Sequence, residues 1–284
     1  MSINAFFNLI RYKSYLKNLL IFVALFFNYE EWNTASFIDL IFTLIFFSFL
    51  SSSIYIINDL LDLEIDKAHK LKKFRPIANG EITKKIAILI ASTLAIFSTY
   101  YFYFFTNHIV FILILSYFIL NIFYSFIFKK IKYLDVLTVT YGFLVRIYIG
   151  ALITSLSISL FFAVQVFLFS LFILMCKRRE YFFSFEQTVS SNYTLKELNN
   201  ISKVLFIANI LNYFNYLFND VKFIDSFCLE VSLIIFIILI TRYFQIVLKN
   251  KLFDPIYIYL NDKYLIIFSC VYVLNFIFGY YGFY

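Results

Sequence analysis

The segment INDLLDLEIDKAHKLKKFRPIANG, residues 57–80, gathers acids and bases in a chain that is apolar almost everywhere else. Asp59, Asp62 and Asp66 stand at i, i+3 and i+7, the spacing that stacks side chains on one face of a helix, and Asn58 lies one turn before Asp62 at the edge of that face. Like charges so placed repel and weaken the local helix unless a cation sits among them. Oxygen-only ligands suit magnesium (Mg2+), which binds one or two carboxylates together with substrate phosphates. Asp59, Asp62 and Asp66 are therefore candidate metal ligands. A plainer alternative is a solvated helix end with salt bridges to Lys67 and Lys70. The residues that follow favour the metal site: Lys70, Lys72, Lys73 and Arg75 come soon after Asp66, and RPIANG closes the stretch with a rigid proline and a permissive glycine. Carboxylates for a metal and cations for phosphate oxygens are complementary halves of a diphosphate site, and Arg75 can hold an oxygen pair bidentately.

A second charged segment, LMCKRREYFFSFEQ, begins at Leu174 and offers Lys177, Arg178, Arg179 and Glu180 with no aspartate. Basic residues at the cytoplasmic end of a span are ordinary anchors. Three in a row are also candidate ligands for phosphate groups. Arg146 lies inside an apolar run, where a cation is costly and by default faces a cavity or a partner. Asp135 is too far to be that partner, about 16 Å away along a helix.

These groups need elements to hold them, and composition says which. The 284 residues are 63% hydrophobic and 23% aromatic, and charged residues make up 14% against about 25% in ordinary soluble domains. Apolar runs recur at lengths that cross a hydrocarbon core of about 30 Å as helices, which satisfy their own backbone hydrogen bonds. The pattern predicts an all-α, polytopic membrane protein of about nine spans, near 16–30, 37–57, 85–105, 109–128, 134–154, 158–176, 201–218, 226–245 and 264–282. With the amino terminus in the cytoplasm, every Lys and Arg except Lys222 and Arg146 falls on the cytoplasmic side, and both charged segments fall there too. Residues 1–17 carry Arg11, Lys13 and Lys17 without a small-residue cleavage site, so the first span is expected to stay in place. Cys176, Cys228 and Cys270 have no paired spacing and predict neither disulfides nor zinc. One transmembrane domain, residues 1–284, is expected. The charged segments after spans 2 and 6 share an orientation and could reflect a duplication.

NDLLDLEID with RPIANG resembles the first signature, NDxxDxxxD followed by a basic stretch and RPIAxG, of the UbiA superfamily of intramembrane prenyltransferases. That likeness implies about nine helices around a cavity open to lipid, and aspartates that hold magnesium and a diphosphate. Most aromatic prenyltransferases of the superfamily carry a second aspartate-rich motif after span 6, where this chain has Lys177, Arg178 and Arg179. This substitution is similar to one branch, the decaprenyl-phosphate phosphoribosyltransferases, whose motif there is KRxAEL or close to it. RYKSYLKN at 11–18, KYLDVLTVTYGFLVRIYIGA at 132–151 and RYF at 242–244 extend the likeness over nearly the whole chain. Two departures are Glu180, one place earlier than the branch's glutamate, and Tyr15 in place of a tryptophan.

The expectation is an enzyme, a phosphoribosyltransferase that moves 5-phosphoribose from phosphoribosyl diphosphate (PRPP) to a polyprenyl phosphate and releases diphosphate. One acidic motif with extra cations suits such a polyanionic pair better than two acidic motifs would. Asp59, Asp62 and Asp66 would hold magnesium, with Asn58 beside them, and Lys73 and Arg75 would offset charge on the leaving diphosphate. Lys177, Arg178, Arg179 and Arg146 are candidates for the remaining phosphates, with Lys17, Lys70 and Lys132 at the rim and Tyr141 in the lipid cavity. The alternative is a prenyltransferase using the same magnesium site. A transporter is disfavoured because charge clusters at one face and glycine- or proline-broken helices are lacking. The partners expected are the bilayer and its polyprenyl phosphate, with no nucleic acid; a homo-oligomer is consistent with the resemblance. The location expected is the bacterial inner membrane, with the site on the cytoplasmic side.

Overall fold

The computed structural model describes residues 2–27, 34–69, 71–179, 193–219, 226–249 and 255–281. Among them every regular element is a helix. The chain forms two compact units, Met1–Ile158 and Ser159–Tyr284.

The first unit opens with α1 (Ile3–Leu9), whose first turn is capped by Ser2 accepting from the Ala5 amide. A 3-10 segment over Tyr12–Phe22 runs into the short α2 (Val23–Phe27). Then come α3 (Thr34–Leu61), α4 (Leu63–Ala68), α5 (Lys84–Phe105), α6 (His108–Phe126) and α7 (Leu134–Thr154). Thr83 and Asn107 cap α5 and α6 by accepting from the amides of Ile86 and Val110, which satisfies donors a helix start leaves open. The most apolar windows of α3 and α7 are each 56% buried, against 22% for α5 and α6, so α3 and α7 are the central helices. Phe47, Leu50, Phe102, Ile114 and Ile149 fill the core between them. Leu89, Ile96, Phe104 and Phe105 point outward from α5, a surface that suits lipid and not water.

The second unit holds α8 (Leu160–Arg178), α9 (Leu195–Asn219), α10 (Ser226–Lys249), α11 (Pro255–Asn261) and α12 (Lys263–Tyr281). Polar side chains lace its helices: Gln165 donates to Asn209 at 3.1 Å, Asn212 donates to Gln165 at 2.8 Å, and the Tyr213 and Tyr272 hydroxyls meet at 2.6 Å. In an apolar bundle such bonds pair polar groups that would otherwise face hydrocarbon unsatisfied.

Seven of the described helices are long and apolar enough to span a bilayer. At the other two expected spans the structure differs from a plain apolar helix. Residues 16–27 are a 3-10 segment followed by α2, and residues 28–30 lie outside the described residues. Helix α9 covers 201–218, but its asparagines keep it below the hydropathy of the seven.

Candidate active site

The acidic motif straddles a joint. Helix α3 ends at Leu61 and α4 starts at Leu63, with Asp62 between them at φ −90° and ψ 7°. The backbone bonds from Asp62 to Asn58 (2.9 Å) and from Asp66 to Asp62 (2.8 Å) carry the helical path across. Asp59 and Asp66, nearly two whole turns apart, meet at Arg75, while Asp62 reaches Lys129 and Asn58. Asp59 and Asp66 are buried, 4% and 2% exposed.

Each carboxylate has a cation on it. Arg75 Nη1 donates to Asp59 Oδ1 at 2.8 Å and to Asp66 Oδ2 at 2.6 Å, so two acids converge on one nitrogen. Arg11 donates to the same Asp59 oxygen from the start of the 3-10 segment. Asp62 is served by Lys129, whose amine stands 2.5 Å from Oδ1, and by Asn58, whose Nδ2 donates to Oδ2 at 3.1 Å. The alternative pairing with Lys67 does not form; Lys67 bonds Glu64 on the exposed side at 3.0 Å.

The turn after the motif places Arg75. Asn79 N donates to Arg75 O and Ile82 N to Pro76 O, both at 2.9 Å, and Gly80 takes a φ of +83° that glycine adopts without strain. Ile77 and Ile82 then pack with Ala5, Leu9, Ile56 and Leu63 beneath the motif. Lys129 is delivered by a 3-10 turn, Phe128–Lys130, that follows α6. Sequence reasoning singled out neither Arg11 nor Lys129. The signal for Arg11 was present in RYKSYLKN; Lys129 looked like one of several interchangeable loop lysines.

The other expected residues are distributed as follows. Lys73 points over the Phe74 ring at 5.1 Å, and Lys132 over Tyr133 at 5.2 Å. Lys17 is exposed. The Tyr141 hydroxyl bonds Ser116 at 2.6 Å. Arg146 is brought to Asn18, Gly142 and Tyr117 and not to the acidic motif. In the second unit, Lys177 is half-buried at the end of α8 while Arg178 and Arg179 are buried, and Arg179 Nη1 donates to Val247 O in the last turn of α10 at 2.9 Å. A guanidinium there satisfies a carbonyl left open by the helix end and complements its dipole. Lys70 and Glu180 lie outside the described residues.

Magnesium fits the donor set at Asp59 and Asp66: the ligands are carboxylate oxygens, and a positive group already stands where both point. Among the described residues no three His, Cys, Asp or Glu side chains are grouped closely enough to form a complete protein cage. Two carboxylates completed by substrate phosphate oxygens are the usual magnesium arrangement.

Fold and site together define a multi-pass helical membrane protein with a buried acidic pair neutralised by arginine. Residues 19–181 match the model of the UbiA prenyltransferase family, and the chain belongs to that family. It is 31% identical to a decaprenyl-phosphate phosphoribosyltransferase of Mycolicibacterium smegmatis over 60% of this chain and 54% of the relative. It is 28% identical to one of Mycobacterium tuberculosis over 69% of this chain and 67% of the relative. The matched stretch thus spans about half to two thirds of these relatives. A UbiA homolog from Archaeoglobus fulgidus bound to DMAPP and Mg2+ superimposes with a TM-score of 0.72 at 17% identity, over 97% of both chains. A digeranylgeranylglyceryl phosphate synthase does so at 0.67 and 18%, over 98% of both. At these identities the superpositions establish a shared fold.

Proposed function

We propose that this protein transfers 5-phosphoribose from PRPP to a polyprenyl phosphate with release of diphosphate. The observation that carries the reading is the convergence of Asp59 and Asp66 on Arg75 Nη1, with Arg11 and Lys129 on the same motif. Such a cluster has both halves of a diphosphate site in store. The acids are held ready by the cations that later serve the phosphates. Support for PRPP over a prenyl diphosphate comes from the absence of aspartate in the Lys177–Arg179 segment and from the names of the mycobacterial relatives.

Asp59 and Asp66, with Asp62 and Asn58 next to them in the motif, would hold magnesium, which would supply positive charge against the leaving diphosphate. As the donor enters, Arg75 exchanges its two carboxylates for diphosphate oxygens, and Lys129 and Arg11 do the same at Asp62 and Asp59. Lys73, Lys17 and Lys132 add positive potential at the rim. An oxygen of the lipid phosphate forms the new bond to the anomeric carbon while the carbon–oxygen bond to diphosphate breaks and its electron pair leaves with the diphosphate. The acceptor is already ionised at neutral pH, so no strong base is needed. On the second unit, Lys177 and Arg178 are the candidate ligands of a further phosphate, beside Arg179, whose Nη1 is bonded to Val247 O. The isoprenoid tail enters from the bilayer beside Tyr141, and the site faces the cytoplasm at a bacterial inner membrane, an orientation that the distribution of Lys and Arg supports.

The test offers purified protein two donors in parallel: labelled PRPP with polyprenyl phosphate, and labelled prenyl diphosphate with aromatic acceptors. Lipid-phase label from the first pair alone supports the proposal. Product from the second pair alone makes the protein a prenyltransferase.

A further inference from the structure

The N-terminal 3-10 segment and α3 run antiparallel, joined by three polar rungs. Asn18 Nδ2 donates to Ser48 Oγ at 2.9 Å, the Tyr15 and Ser52 hydroxyls meet at 2.8 Å, and Arg11 bonds Asp59. Ser52 also donates to Ile10 O at 2.7 Å. The last rung lies in the acidic site, and the first is gripped from the other side by α7. Arg146 Nε donates to Asn18 Oδ1 at 2.9 Å, and its other nitrogens donate to Gly142 O and, at 3.4 Å, to the Tyr117 hydroxyl. Its guanidinium lies among Phe47, Tyr117 and Phe143, at 4.8, 5.5 and 5.8 Å from the ring centres. One turn further along α7, Gly150 meets the Ile21 carbonyl so closely that an added Cβ would collide with it. Helix α7 therefore holds the segment at two matched points, Arg146 on Asn18 and Gly150 on Ile21.

At the far end Arg11 adopts left-handed backbone angles, φ 52° and ψ 49°. A non-glycine residue keeps such a conformation only where its surroundings impose it. A guanidinium within a span is costly unless its donors are met, so Arg146 favours the one register that puts Asn18 Oδ1 before its Nε. A slip of one 3-10 turn would move the segment by about 6 Å and carry Arg11 off Asp59.

We infer that Arg146 is a positioning residue: by fixing Asn18 it sets the register of the N-terminal segment against α3 and so delivers Arg11 to Asp59, without touching substrate. The functional side of this inference rests on the reading of the acidic cluster as a diphosphate site; the structural side does not.

Hydrogen–deuterium exchange of the full chain in nanodiscs tests it. Arg146→Met and Asn18→Leu should each speed exchange of the amides of residues 12–22 by about tenfold. Each should raise the KM for the donor, and the double variant should be no worse than either single one. Asn18→Asp, which keeps the accepting oxygen, should retain most of the protection. Additive losses, or a higher donor KM with unchanged exchange over 12–22, would overturn the inference and place Arg146 on the substrate. Should Arg146→Met not be recovered folded, Gly150→Ala disturbs the same segment with Arg146 intact and should give the same faster exchange; unchanged exchange there also overturns it. Because exchange needs no turnover, a failure of the PRPP assignment leaves this result readable.

Discussion

The amine of Lys129 stands 2.5 Å from Asp62 Oδ1, although 67 residues of sequence separate the two. With Arg11 on Asp59 and Arg75 on both Asp59 and Asp66, it makes the acidic motif electrically self-contained. Each carboxylate thus has a cation of the chain itself as its partner.

Chelation should therefore separate activity from folding. EDTA is expected to abolish transfer while the helical circular dichroism and its thermal transition stay where they were, because Arg11, Arg75 and Lys129 already compensate the acids. Loss of helical structure on chelation would show that metal binding supplies folding energy, against this account.

Removing Asp66 should cost chemistry more than stability. In Asp66→Asn, Arg75 keeps its bond to Asp59, so the fold persists while turnover falls by about a hundredfold or more. Asp59→Asn strips a partner from both Arg11 and Arg75, and losing a hydrogen bond to a charged group costs about 1.5–3 kcal/mol, so it should be the less stable variant. Comparing the melting curves of the two variants checks the order; equal stabilities would contradict it.

Lys129→Met should lower kcat/KM for the donor about ten- to a hundredfold, the loss of one charge-assisted contact of roughly 1.5–3 kcal/mol. Lys129→Arg should recover part of it. Steady-state kinetics with varied donor decides, and an unaltered kcat/KM would take Lys129 out of the site.

What the sequence disclosed and withheld divides along local and distant contacts. The acids, Arg75 and the turn after it lie within one short stretch, and spacing alone drew attention to them. The partners on the acids come from far along the chain, Arg11 from 48 residues before Asp59 and Lys129 from 67 after Asp62, and no local pattern pairs them. The joint at Asp62 was hidden because helical spacing runs straight through it. Ser48 and Ser52 lie in an apolar run with nothing local to mark them, yet they are the rungs on which the N-terminal segment is hung. Arg146 stood out as a costly charge, but its partner Asn18 is 128 residues away and uncharged, so the sequence offered substrate phosphate as the more obvious destination.

In the second unit, Asp262 accepts from Arg242 Nη2 at 2.7 Å and from the Leu265 amide at 3.0 Å at the start of α12. Burial alone would raise its pKa, but these bonds outweigh burial and hold the carboxyl below its ordinary value. A carboxyl with a lowered folded pKa adds stability above its unfolded pKa of about 4, and that stability is lost as pH falls through the folded value. Thermal unfolding of wild type and Asp262→Asn should therefore differ at neutral pH and converge in acid below that range. A constant difference at every pH would mean the ion pair contributes nothing to the effect.

The most direct measurement is the mass of the lipid product. Purified protein, PRPP, magnesium and a polyprenyl phosphate should yield a lipid heavier by one phosphoribosyl group, formed in step with inorganic diphosphate and absent with Asp66→Asn. An unchanged lipid, from protein that does form a prenylated acceptor when given prenyl diphosphate, would contradict the account.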